Sequence, residues 1–298
     1  MKLLITGATG FIGRNLVTSL LQLNHTITIL IRNESDTTLF PHSVQKYAYN
    51  GDVEALSHLI KQNQFDGIIH LASLFKASHC ADDIKPMIDS NILLGTELLE
   101  ACKQNEVKWF INTGTFWQNY YDENYDPVNL YAATKEAYEK ISYYYTQTSS
   151  LIFTTIRLCD TFGPYDTRKK IFNLWEETCK ADKMLDMTAG EQIIDISYIE
   201  DVVNAYITLI DQLNSSDAHL HKNKIYYVSN QERLTLKELA KVYENAANCK
   251  LNIRWAQREY REREVMIPYK HGEPVPNWRQ QFSLFDAIQK TLKANNND

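Results

Sequence analysis

The chain has 298 residues, 44% of them hydrophobic, with 31 Lys+Arg against 37 Asp+Glu and a formal net charge of −6. That is enough apolar material for a packed core, and enough length for a nucleotide-sized domain with a smaller cap. No long basic run is present, which argues against a nucleic-acid surface. No stretch approaches the ~20 apolar residues of a membrane span, and the opening MKLLITGATGF reads as a buried strand rather than a signal peptide. Five cysteines (Cys80, Cys102, Cys159, Cys179, Cys249) are odd in number and form no CxxC pair. Neither a metal site nor a disulfide framework is expected from them. Each reads as a small buried hydrophobe, and the setting reads as a reducing cytoplasm.

In chain order, Leu3–Thr6 is a short apolar strand, followed by glycines and then helical spacing over Arg14–Leu23. Thr26–Ile31 alternates and is β-branched, Val53–Gln62 is helical, and Gly67–Leu71 is another buried strand. Asn91–Lys103 reads as a helix and Val107–Asn112 as the next strand. A loop rich in Asn, Asp and Tyr covers Trp117–Asn129. Helix Tyr131–Tyr145 and strand Leu151–Leu158 come next, and Gly163-Pro164 stops that strand. After Arg168 the alternation weakens: helix Ile171–Lys180, strand-like Gln192–Ile196, helix Asp201–Leu213, strand Ile225–Val228 and helix Leu236–Ala246. The tail from Ala294 is expected to fray. Strand–helix alternation of this kind argues a parallel sheet with helices on both faces. The expected division is a sheet domain over 1–162, rejoined by 201–228, with a cap from 163–200 and 229–298.

Thr6-Gly7-Ala8-Thr9-Gly10-Phe11-Ile12-Gly13 follows a strand and opens a helix. In a dinucleotide site Gly7 would allow a tight turn, Gly10 close approach of a pyrophosphate and Gly13 close helix–strand packing, with the phosphates at the helix N-terminus. Glycines also serve ordinary turns, and the spacing here is GxxGxxG rather than GxGxxG. The second strand ends at Ile31-Arg32, where an NAD site usually carries an acidic residue. A guanidinium at Arg32 can hold a 2′-phosphate that a carboxylate would repel, so NADP(H) is expected. The alternative is a solvated arginine at a strand end.

Tyr131-Ala132-Ala133-Thr134-Lys135 places a tyrosine and a lysine four residues apart, on one face of a helix. The ammonium is expected to lower the Tyr131 pKa and ready it for acid–base catalysis. With these motifs the chain resembles the extended short-chain dehydrogenase/reductases, the NAD-dependent epimerase/dehydratase family. The resemblance extends to Gly51-Asp52, His70-Leu71-Ala72-Ser73, Asn91, Thr113-Gly114-Thr115, Arg157 with Gly163-Pro164, Tyr198–Val202, Pro276-Asn277-Trp278 and Ser283-Leu284. It implies an α/β fold, a Rossmann-type doubly wound parallel sheet with a smaller, mostly C-terminal substrate-binding cap. It also implies roles. Thr113 would hold the substrate oxygen, Tyr131 would be the acid/base, and Lys135 would bind the nicotinamide ribose. Asp52 with Val53 would contact the adenine, while Leu71, Ala72, Ser73 and Asn91 would belong to the dinucleotide site. Asp52 and Asn91 would serve equally as helix caps. Homodimers are usual in such a family, here through Asn91–Lys103 and Tyr131–Tyr145.

Dehydratases of this family carry an acidic pair directly after the catalytic Ser/Thr, and Gly114 and Thr115 cannot do that work. A 4-keto reductase or a 4-epimerase remains, with an inactive NADP-binding protein as the third reading. The stretch Asn112–Lys135 resembles the CDP-4-keto-3,6-dideoxyglucose reductases, that is, the CDP-abequose and CDP-paratose synthases. The implied partner is a nucleotide-diphosphate sugar. Thr115, Phe116 and Trp117 are candidates to contact it, and Lys169 and Arg258 to hold its phosphates, chosen from the clusters Arg168–Lys170 and Arg258, Arg261, Arg263. Ile194 stands where many relatives have an arginine.

Overall fold

The computed structural model describes residues 1–181 and 183–296. The strands run in chain order as β1 (Lys2–Thr6), β2 (Thr26–Ile31), β3 (Gln45–Ala48), β4 (Gly67–His70), β5 (Trp109–Thr115) and β6 (Ile152–Leu158). The short strands β7 (Asp160–Phe162), β8 (Leu185–Asp186), β9 (Ile193–Ile194) and β10 (Ile196–Tyr198) follow, then β11 (Ile225–Val228), β12 (Leu234–Thr235) and β13 (Ile253–Arg254). Seven of them form one sheet in the order β11-β6-β5-β4-β1-β2-β3, parallel throughout. The chain walks outward from β1 to β3, returns to the other side of β1 at β4, and walks outward again to β11. The reversal between β1 and β4 opens a crevice at the carboxyl ends of those strands, where ligands bind in sheets of this kind.

The helices are α1 (Phe11–Gln22), α2 (Val53–Asn63), α3 (Ala81–Ile88), α4 (Leu94–Gln104), α5 (Leu130–Gln147), α6 (Ile171–Ala181), α7 (Ile199–Leu213), α8 (Leu236–Ala247) and α9 (Leu284–Asn295). They cover both faces of the sheet, and strand alternation sorts the core accordingly. Leu3 and Ile5 of β1 join Leu16 and Val17 of α1 and Val202 and Leu209 of α7. Leu4, between them, joins Leu56 of α2, Leu98 of α4 and Tyr138 of α5. A strand apolar on both faces is what a fully covered parallel sheet requires. No helix among the described residues is long and apolar enough to cross a membrane.

Several expectations need correction. The first helix begins at Phe11, straight after Gly10, rather than at Arg14. Edge strand β3 was not legible, because Gln45, Lys46 and Ala48 are exposed and show no apolar alternation. The residues read as the start of helix Asn91–Lys103 lie in a π-helical turn, Asp89–Leu93, that runs from α3 into α4. Gln192–Ile196 is not one strand: β9 pairs antiparallel with β12, and β10 pairs parallel with β7. The tail does not fray at Ala294. Ser283 caps α9, and Leu284, Ala287 and Ile288 are buried; residues 297 and 298 of that tail lie outside the described residues.

The cysteine expectation is also overturned. Cys179 at the end of α6 and Cys249 just after α8 form a disulfide with a Cα–Cα distance of 6.2 Å. Cys80, Cys102 and Cys159 are free, and Cys80 is exposed. The paired residues are 70 positions apart in sequence, so only the packing of the two helices brings them together. A reducing setting loses the support it drew from unpaired cysteines. Thiol titration of the unfolded, unreduced protein is expected to find the three free thiols; five would contradict the pairing.

Candidate active site

Gly7 leaves β1 with φ +67°, and a Cβ there would lie 2.5 Å from the Ala72 nitrogen at the end of β4. A Cβ on Gly13 would lie 2.3 Å from the Gly7 oxygen. Both glycines therefore let backbone pass where no side chain fits. Gly10 is the N-cap of α1 and supplies no side-chain cap, and the first turn holds no acidic residue. The first N–H groups of α1 are left for an outside acceptor, at the positive end of the helix dipole. Thr9 and Gly10 are exposed, and Ile12 lines the cavity beyond. These residues fit a dinucleotide pyrophosphate.

The register of β1 with β2 pairs Thr6 with Leu30, so Ile31 and Arg32 emerge level with Gly7 and Ala8. The Arg32 side chain is 82% exposed and pairs with Glu34 at 3.2 Å. Asp52 caps α2, accepting the Ala55 N–H at 3.0 Å, and Val53 begins that helix. At the end of β4, the Thr6 hydroxyl accepts the Ala72 N–H at 3.1 Å and also meets His70 Nδ1 at 2.8 Å. Leu71 and Ser73 line the cavity. Asn91 is fully buried. Its Oδ1 accepts from the Leu74 N–H and the Ser73 hydroxyl, and its Nδ2 donates to the Leu74 oxygen and Thr134 Oγ1. Asn91 is thus a brace tying the β4 loop to α5, with little capacity left for a cofactor.

Asn129 caps α5 by accepting the Ala132 N–H at 3.0 Å, which sets Tyr131 and Lys135 on the first turns facing the cavity. Burial raises the Tyr131 pKa above the ordinary tyrosine value, and the Ser73 side chain opposes it. The expected lowering by Lys135 is not found; desolvation dominates, and the phenol keeps its proton at neutral pH. Lys135 is 1% exposed, and burial pulls its pKa from 10.5 to about 8 against the opposing pull of Glu139. Among the described residues its ammonium has no hydrogen-bond or ion-pair partner. The Thr113 hydroxyl meets the Tyr206 hydroxyl of α7 at 2.7 Å. If Tyr206 donates, the Thr113 proton stays free for a ligand oxygen. Tyr206 escaped the sequence reading, although a tyrosine among apolar neighbours on a helix is the signal that finds such a group.

Below the site, Arg157 of β6 is 2% exposed. It donates to Glu136 at 2.7 Å, to Glu139 at 2.5 Å and to the Asn119 side chain at 2.8 Å. Gln118 donates to Glu136 and Glu139 at 2.6 and 3.0 Å. Burial works against the Arg157 charge, but Glu139 and Glu136 outweigh it and hold the pKa above the ordinary value. A Cβ on Gly114 would lie 2.7 Å from Arg157 Cγ and 2.8 Å from Glu139 Oε1, so this network occupies the space a side chain there would need.

Tyr131, Lys135, Thr113, Thr115, Phe116 and Trp117 meet in one cavity of ≈ 320 Å³. Of the cations, Arg168, Lys170 and Arg261 line it. The chosen candidates Lys169 and Arg258 are exposed and do not; the helical and loop geometry selects their neighbours. Asp195, beside the missing arginine, is instead paired with Arg233 at 2.7 Å. A larger hollow of ≈ 510 Å³ beside the disulfide holds none of these groups. No group of three or more His, Cys, Asp or Glu among the described residues is placed to hold a metal ion.

Residues 3–226 match the model of the NAD dependent epimerase/dehydratase family. CDP-abequose synthase of Salmonella typhimurium is 24% identical, covering 97% of this chain and 97% of that one. The synthase of the same name from Yersinia pseudotuberculosis is 25% identical over 91% and 93%. Among solved structures, UDP-glucose 4-epimerase of Thermotoga maritima with UDP-glucose superposes with a TM-score of 0.86 at 18% identity, covering 100% of this chain and 99% of that one. UDP-glucuronic acid 4-epimerase of Bacillus cereus with UDP-glucuronic acid and NAD gives 0.81 at 20% identity, over 100% and 99%. Those two likenesses show the shared fold.

The buried ammonium of Lys135 has a measurable cost. Its depressed pKa corresponds to about 3 kcal/mol of destabilisation at pH 7, where both folded and unfolded chains hold the proton. Between pH 8 and 10.5 the unfolded chain binds more protons than the folded one, so this cost fades as pH rises. Lys135→Met is therefore expected to raise urea stability at pH 7 by about 2–3 kcal/mol, with the gap closing by pH 10.5. A Met variant less stable than wild type at pH 7 would contradict this.

Proposed function

The chain belongs to the NAD dependent epimerase/dehydratase family, and from that premise we propose that it uses NADPH to reduce the C4 keto group of a nucleotide-linked deoxysugar. CDP-4-keto-3,6-dideoxyglucose is the favoured substrate. The reaction type is carried by a protonated Tyr131 above an unpartnered Lys135 in the cavity at the sheet switch point. The near full-length likeness to CDP-abequose synthases supports the CDP-linked substrate. Arg32 in place of an acid supports NADPH.

Bound nicotinamide supplies the hydride. Gly7, Gly10, Gly13 and the first turn of α1 would hold the pyrophosphate, and Arg32 the 2′-phosphate. Thr113, backed by Tyr206, donates to the C4 oxygen and fixes its position. Tyr131 gives that oxygen its phenolic proton as negative charge develops. Lys135 would hold the ribose hydroxyls, and its ammonium stabilises the tyrosinate left behind. Its burial thereby acquires a use, because the ammonium is held ready for a ribose hydroxyl and a tyrosinate. The Arg157 network keeps α5, and with it Tyr131 and Lys135, in register with β5. Gly114 leaves no room for the acid a 4,6-dehydratase needs.

A second reading, an NAD-retaining 4-epimerase, draws on one observation: the Arg32 guanidinium is already paired with Glu34. Isolated protein that carries tightly bound NAD and consumes no NADPH would favour it.

Mixing the protein with NADPH and CDP-4-keto-3,6-dideoxyglucose is expected to oxidise the cofactor stoichiometrically. Tyr131→Phe is expected to cut kcat by about 10²–10⁴ with NADPH binding kept; unchanged turnover would remove Tyr131 from the mechanism. Arg32→Ala is expected to weaken NADPH binding roughly tenfold and leave NADH binding unchanged. Equal losses for both cofactors would assign Arg32 another role.

A further inference from the structure

Phe75 sits on the connection after β4, lines the cavity and is 45% exposed. Its ring stands edge-on to Tyr131 at 5.1 Å and tilted against Trp117 at 5.5 Å. Beyond these rings are cations. Lys170 Nζ lies 5.3 Å from the Phe75 centroid, and the Arg261 guanidinium 5.5 Å from that of Trp117. The aromatic pair thus bridges the proton donor at one end and two cations at the other. In a nucleotide-linked hexopyranose, C4 and the diphosphate-bearing C1 lie at opposite ends of the ring. A sugar whose C4 reaches Tyr131 and whose phosphates reach Lys170 and Arg261 must lie along Phe75 and Trp117.

The cavity's carboxylates are already committed. Asp160 holds Lys170 at 2.5 Å, Glu264 holds Arg261 at 2.8 Å, and Asp195 holds Arg233 at 2.7 Å. A sugar hydroxyl pressed against the faces of the aromatic pair would lose water and meet ring carbon in place of a hydrogen-bonding group. In a pyranose, C3 is the one ring carbon beside C4 that can carry a hydroxyl, since C5 carries the ring oxygen and C6.

We propose that Phe75 and Trp117 form the wall on which the sugar lies and that this wall selects a sugar without a hydroxyl at C3. The selection rests on the C4 reduction proposed above. A hydrophobic wall rejects an added hydroxyl by about a hundredfold, so that is the expected preference.

The test compares kcat/KM with NADPH for CDP-4-keto-3,6-dideoxyglucose and for CDP-4-keto-6-deoxyglucose, which differ only by the C3 hydroxyl. Wild type is expected to prefer the first by about 10². Phe75→Ser and Trp117→Thr, each checked for wild-type NADPH affinity and urea midpoint, are expected to shrink that ratio at least tenfold. Equal use of both sugars by wild type, or an unchanged ratio in both folded variants, overturns the wall as selector and leaves the reduction standing. No NADPH oxidation with either sugar overturns the reduction and the selection with it.

Discussion

The buried guanidinium of Arg157 is the interaction on which the site depends. It joins β6 to two carboxylates of α5 and to the turn after β5, and its partner Tyr227 at 3.2 Å belongs to β11. Three strands and α5 therefore share one buried polar network. Removing one member of such a set strands the others in a desolvated interior, which typically costs about 3–5 kcal/mol. The network also explains a negative feature of the chemistry. Gly114 is a glycine because Arg157, Glu139 and Gln118 fill the space beside it. The packing that holds α5 thus also keeps carboxylate chemistry away from that position.

Around this scaffold the site carries deliberate costs. Lys135 is buried without a partner among the described residues, and α1 begins without a side-chain cap. Each is unfavourable taken alone and, under the proposed function, would be offset by a phosphate or a ribose hydroxyl. Phe75 follows the same logic on the apolar side, since its exposed ring would gain cover from the proposed sugar.

Much of this was legible in the sequence because it depends on local pattern. The glycine spacing, the strand–helix alternation and the Tyr131/Lys135 pair are short-range signals, and they locate the sheet, the switch point and the proposed proton donor. What was not legible depends on contacts across the chain. The Tyr131 pKa follows burial rather than its neighbour in the helix, and no spacing rule reports burial. Lys169 and Arg258 were chosen from basic clusters in which Lys170 and Arg261 face the cavity, a choice made by loop geometry alone. Asn91, read as a cofactor contact or a helix cap, is instead spent on Leu74, Ser73 and Thr134 from across the chain, whereas the capping of α2 by Asp52 is local and was legible. The Cys179–Cys249 bond joins two helices whose approach only tertiary packing creates.

The central claim is net hydride delivery to C4 with the proton supplied by the protein. It is tested most directly with NADPH deuterated on the nicotinamide C4 and CDP-4-keto-3,6-dideoxyglucose, followed by NMR of the sugar product. One deuterium at C4 of the product, with one equivalent of NADP+ formed, is the predicted result. A C4-inverted sugar formed from a 4-hydroxy substrate without deuterium or net cofactor consumption would contradict it.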